Sequence, residues 1–73
     1  MTSFTPVLEV RQEFNHTATG SAARSFRRSR NLSVREVARR LGYSAAFVSD
    51  LELGRRCWTR EKVEAYNRVV QRT

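Results

Sequence analysis

Metal-binding and redox side chains are almost missing from this sequence. It has one cysteine, Cys57, and one histidine, His16, which excludes an intramolecular disulfide and a cysteine metal cage and nearly excludes zinc. No apolar run approaches the ~20 residues that span a bilayer. The stretch from Met1 to Val10 has neither the basic start nor the long apolar core of a secretion signal. Together these absences point to a reducing, cytoplasmic setting with no cofactor, no metal and no membrane. Catalysis has no foothold either. Nucleophilic chemistry needs a base near a serine or cysteine, His16 lies outside the apparent core, and no phosphate-binding glycine loop occurs. A binding protein is expected, not an enzyme.

Lysine is equally scarce. Lys62 stands alone among 14 basic residues, and the other thirteen are arginine. Arginine's planar fork suits phosphate oxygens and the guanine edge, but a GC-rich genome would supply the same bias, so the ratio decides nothing. Position says more. Residues 22–60 hold ten arginines against Glu36, Asp50 and Glu52, a net of +7, which equals the charge of the whole chain. So concentrated a charge favours a polyanionic partner, most simply nucleic acid. With 73 residues, 40% of them hydrophobic and 29% charged, the chain is expected to form one globular domain. A chain of this size buries only about 60% of its unfolded surface, so the core must be small.

The strongest local signals are helix starts. In Leu32-Ser33-Val34-Arg35-Glu36-Val37, Ser33 can cap the backbone while Glu36 reaches back, and Leu32 against Val37 adds a hydrophobic staple. Tyr43-Ser44 followed by Val48 repeats the cap and staple, and Trp58-Thr59 followed by Val63 does so again. The helices then run from Val34 to Leu41, from Ala45 to Leu53, and from about Arg60 to Val70 or beyond. Their inward positions are Val34, Val37, Ala38 and Leu41; Val48 and Leu51, with Phe47 on the flank; and Val63, Tyr66 and Val70. Gly42 and Gly54 stop the first two. Ahead of them Ser21 to Arg30 reads as a further helix with Ala23 and Phe26 inward, closed by Asn31. The expected fold class is all-α, a compact four-helix domain over 21–73 with a short N-terminal arm and linker over 1–20.

Two helices joined by Gly42-Tyr43-Ser44 form a helix-turn-helix unit, whose second helix can enter a major groove. Relative to Val48 its outward face carries Ala46, Ser49, Asp50 and Leu53. Glu52 lies only about 40° round from Val48, near the buried face, where a carboxylate needs a partner. Arg35 and Arg39, four apart on the outer face of the preceding helix, make sense beside an anion, as do the helix amides after Ser33. Arg55 and Arg56 follow Gly54 in a loop that could grip the opposite flank. Ser33, Arg35, Arg39, Arg55 and Arg56 are therefore the candidate phosphate contacts, whereas Arg24 and Arg28 read as a solvated face.

Residues 22–70 resemble the helix-turn-helix domain of the Cro and lambda-repressor class, also called XRE-like. The resemblance rests on Leu32-Ser33, on Glu36-Val37-Ala38-Arg39-Arg40-Leu41-Gly42-Tyr43-Ser44, and on Val48-Ser49-Asp50-Leu51-Glu52-Leu53-Gly54-Arg55-Arg56. Many small phage and mobile-element regulators look like this. The resemblance implies operator binding to double-stranded DNA, usually as a homodimer, with autoregulation common. It implies Ser44, Ala45, Ala46, Ser49 and Asp50 as base-facing residues, and Arg27 as the partner of Glu52. The tip departs from the usual pattern in having no arginine or glutamine. Alanine methyls can meet thymine methyls, and Asp50 either accepts from cytosine or pairs with a nearby arginine.

The first 20 residues read three ways. Thr5-Pro6 can open a short helix with Val7, Val10 and Phe14 on one side, Leu8, Val10, Gln12 and Phe14 can alternate as a strand that pairs with a second subunit, or the segment is a flexible tail. Asn15 to Gly20 reads as linker, and His16 has no evident partner. Trp58 and Tyr66 are expected in the core, and Cys57 as an inert thiol. Two further functional readings compete with a repressor. One is an antitoxin or antirepressor module that holds a protein partner through the N-terminal arm; the other is a non-specific nucleoid binder.

Overall fold

Four helices follow one another in the computed structural model, which describes residues 3–4 and 15–72: α1 His16–Ser29, α2 Val34–Leu41, α3 Ala45–Glu52 and α4 Arg60–Gln71. No strand occurs among the described residues. Each helix is opened by a side-chain oxygen that accepts one of the orphan amides of the first turn. Asn15 Oδ1 takes Ala18 N at 3.0 Å, and Ser33 Oγ takes Glu36 N at 3.0 Å. Ser44 Oγ takes Phe47 N at 3.1 Å, and Thr59 Oγ1 takes Lys62 N at 3.2 Å.

Two sequence expectations are corrected here. The segment Asn15 to Gly20 is not linker: Asn15 caps α1, which starts five residues ahead of Ser21. Thr19 and Gly20 are buried, and a Cβ at position 20 would collide with the backbone carbonyl oxygens of Leu51 and Glu52. The close crossing of α1 and α3 thus stabilises a stretch whose own helix propensity is poor. Nor does His16 lack a partner, because its Nδ1 accepts the Trp58 amide at 2.9 Å. That bond ties the start of α1 to the connection before α4. The three readings of residues 5–14, short helix, pairing strand or flexible tail, lie outside the described residues.

The connections are fixed by backbone geometry. Asn31 adopts a left-handed φ of 58° after α1, a conformation that asparagine tolerates better than most residues. Between α2 and α3, Gly42 sits at φ 79°. There Tyr43 N reaches Ala38 O at 2.9 Å and Gly42 N reaches Arg39 O at 3.3 Å, the two bonds of a Schellman stop.

The core gathers Ala23 and Phe26 of α1, Val37 and Ala38 of α2, Val48 and Leu51 of α3, and Val63, Tyr66 and Val70 of α4, with Leu32 and Trp58 from the connections. Phe4 joins it, also buried. Its ring meets Trp58 and Tyr66 edge-on at centroid separations of 5.6 and 5.7 Å. Asn67 holds its backbone from both sides, accepting from Phe4 N at 3.0 Å and donating to Phe4 O at 3.3 Å. Aromatic pairs of this kind add about 0.5–1.5 kcal/mol each beyond their buried area.

Candidate nucleic-acid interface

The three-residue turn Gly42-Tyr43-Ser44 leaves α3 braced on one side and open on the other. Val48 and Leu51 are sealed in the core. Ser44, Ala45 and Ala46 are exposed at the leading tip, Ser49 and Asp50 are half-buried along the outer side, and Leu53 is exposed at the far end. The five candidate base-facing residues therefore share one surface. Tyr43 and Phe47 flank the tip, their rings edge to face at 4.8 Å.

The brace is a buried polar network. Arg27 Nε and Nη2 donate to Glu52 Oε2 and Oε1 at 2.8 and 2.9 Å, and Arg27 Nη1 donates to Leu32 O at 2.8 Å. The two side chains of the pair are 9% and 3% exposed. Tyr66 closes the network from α4: its hydroxyl donates to Glu52 Oε2 at 2.6 Å, with Ala23 O at 3.2 Å as a second acceptor. Among the described residues no buried side-chain nitrogen or oxygen lacks a partner. The hydrogen bonds to Glu52 hold the Arg27 guanidinium more firmly protonated than usual. Burial pushes the Tyr66 hydroxyl well above its ordinary range, and the bond to Glu52 pushes it further. Three helices thus converge on the carboxylate that ends α3. Spacing along α4 places Tyr66 in the core, where it is buried, but does not show its hydroxyl bonding to Glu52.

The candidate phosphate contacts surround this surface in different states. Ser33 and Arg35 are exposed at the start of α2. Arg39 Nη2 is bound to Glu36 Oε2, which also takes Arg40 Nε at 3.0 Å. The reciprocal half of the expected capping box is thereby corrected: Glu36 turns forward to two arginines, three and four residues on, not back to the Ser33 amide. Its hydrogen bond with Arg39 lowers the Glu36 pKa and raises that of Arg39. Arg55 Nη1 and Arg56 Nε each stand 3.9 Å from an oxygen of Asp50, so Asp50 faces the arginine pair. The Arg56 guanidinium also lies over the Phe47 ring, 5.4 Å from its centroid.

A cleft of about 230 Å³ opens beside α3, walled by Arg24 and Arg27 of α1, Val34 of α2, and Ser49, Glu52 and Leu53 of α3. Its existence depends on three helices meeting, and no local motif announces it. Among the described residues no group of three or more His, Cys, Asp or Glu side chains could hold a metal ion. No helix among them is long and apolar enough to cross a membrane.

A family model described as a helix-turn-helix domain matches residues 19–73, well over half of the chain. No curated protein and no solved structure matches it.

Proposed function

The chain belongs to the helix-turn-helix domain family, and from that premise we propose that it is a sequence-specific, double-stranded-DNA-binding transcriptional regulator of the Cro and lambda-repressor type. It acts as a repressor, bound as a homodimer to an inverted repeat, including one at its own promoter. The observation that carries this reading is the outer side of α3. Ser44, Ala45, Ala46, Ser49 and Asp50 are left outside the core on a helix anchored by the Arg27–Glu52 pair.

In the major groove, small residues at the tip permit close approach, and the Ala45 and Ala46 methyls meet thymine methyls. The hydroxyl protons of Ser44 and Ser49 reach base acceptors. Ser33, Arg35, Arg39, Arg55 and Arg56 hold phosphates on either side and set the register. Arg39, Arg55 and Arg56 exchange a carboxylate for a phosphate as they do so. The exchange is feasible because exposed ion pairs contribute only about 0–1 kcal/mol.

Selection from a random duplex pool at physiological salt, with the solution mass measured alongside, tests this function. The expected result is an enriched palindrome, its half-sites about one helical turn apart, bound by a dimer. A pool that enriches nothing contradicts it and favours a protein-holding module or a non-specific binder.

A further inference from the structure

Arg24 lies on a solvated face of α1 and, in the fold, also lines a cleft shared with the reading helix. From this we infer that Arg24 is a DNA-backbone contact delivered from α1, gripping a phosphate at the mouth of the cleft between α1, α2 and α3. The inference deepens the proposed function and rests on it.

Four observations carry it. The cleft places Arg24 on α1 against Ser49 and Leu53 of α3 and Val34 at the first position of α2, so its mouth borders the surface that carries Ser49. The one carboxylate in its wall, Glu52, is already committed: both oxygens are taken by Arg27, and one also by Tyr66. With Arg24 and Arg27 against Glu52, the wall carries a net charge of +1.

Arg24 is also exposed, and among the described residues it has no hydrogen-bond or ion-pair partner. Arg39, Arg55 and Arg56, by contrast, each stand beside a carboxylate in the free protein. Arg24 can therefore engage an anion without first giving up an internal pair. Finally, Val34 and Leu53 make part of the wall apolar, and a concave, partly apolar wall concentrates the field of a cation lining it. A phosphodiester fits this setting: it is an anion with two free oxygens, matched by a guanidinium fork. A contact of this kind carries no sequence information and strengthens every duplex alike.

The experiment is a salt titration of duplex affinity with the full chain, using one unselected duplex and one enriched duplex. It compares the parent protein with Arg24→Gln, Arg24→Lys and Arg68→Gln. Arg68 is a charge-matched control, exposed on α4, which contributes nothing to the cleft. Emission from Trp58, the single buried tryptophan, verifies that each variant is folded. The expected result is that Arg24→Gln weakens both duplexes equally and reduces the slope of log affinity against log salt by about one. Arg24→Lys keeps the slope, and Arg68→Gln leaves it unchanged. Arg24→Gln and Arg68→Gln behaving alike overturns the inference while leaving the proposed function standing. A parent protein that binds neither duplex overturns both.

Discussion

Replacing Glu52 with glutamine removes one charge and almost no volume, and it should be among the most damaging single changes available. Glu52 receives two hydrogen bonds from Arg27 and one from Tyr66, at 2.6–2.9 Å, in a site where the pair's side chains are 9% and 3% exposed. Glutamine offers one acceptor oxygen and one amide nitrogen. Whichever way it turns, a donor faces a donor, and the buried Arg27 charge is left uncompensated. One-sided removal of a buried pair destabilises by about 3–5 kcal/mol. For a domain of this length the whole stability is roughly 4–11 kcal/mol. At about 4–8 °C per kcal/mol, the melting temperature should fall by at least roughly 12 °C. Thermal and urea unfolding followed by Trp58 emission measure this. The double change Arg27→Met with Glu52→Leu separates pair chemistry from mere packing. Removing both charges should restore most of the loss, since apolar replacement of a buried pair is often neutral or better. An E52Q protein melting within about 3 °C of the parent, or a double variant as unstable as the single one, would refute the network as the brace of α3.

Four other outcomes follow from the same geometry. Gly20→Ala should destabilise by about 1–3 kcal/mol, because the clash with the carbonyls of Leu51 and Glu52 outweighs the helix propensity gained; an unchanged urea midpoint contradicts the close crossing. Tyr66 has its folded pKa raised above the ordinary 10.0, so its contribution is present in full below pH 10.0 and is lost as pH rises further. In a Tyr43→Phe background, tyrosinate absorbance should therefore appear only as the protein unfolds, whereas earlier ionisation argues against the buried bond. Changing Arg55 and Arg56 together to glutamine should weaken all duplexes alike and lower the salt slope by about two, as a salt titration would reveal. Asp50→Asn should act oppositely on unselected DNA, raising affinity by at most about fivefold at low salt, since it releases two weak exposed pairs; weaker binding to unselected duplex contradicts that role.

The parts of this fold legible in the sequence are those fixed within a few residues. Ser33, Ser44 and Thr59 act on amides three residues away, and Gly42 stops α2 with its own φ. The α2-turn-α3 unit and its outward face could therefore be drawn from spacing alone. The start of α1 could not. His16 to Gly20 is polar and ends in glycine, and it is helical because α3 crosses over Gly20 and Trp58 donates to His16. Phe4 bonds to Asn67 across 63 positions, beyond any local pattern. Glu36 is the instructive middle case. Its position suited both a capping box and i,i+3 and i,i+4 pairs with Arg39 and Arg40. The charged partners prevail: one Glu36 oxygen is shared by two guanidinium groups. Arg24 shows a different limit: a helical wheel places it on an outward face, where it is exposed, but does not show that α2 and α3 wall a cleft beside it.

The most direct measurement is the structure of the protein bound to a duplex enriched by selection. In that complex α3 should lie in the major groove, with the Ala45 and Ala46 methyls packed on base edges, Ser49 within hydrogen-bond distance of a base, and arginines on phosphates to either side. A complex in which the duplex lies against α4, with residues 44–50 facing solvent, would contradict it.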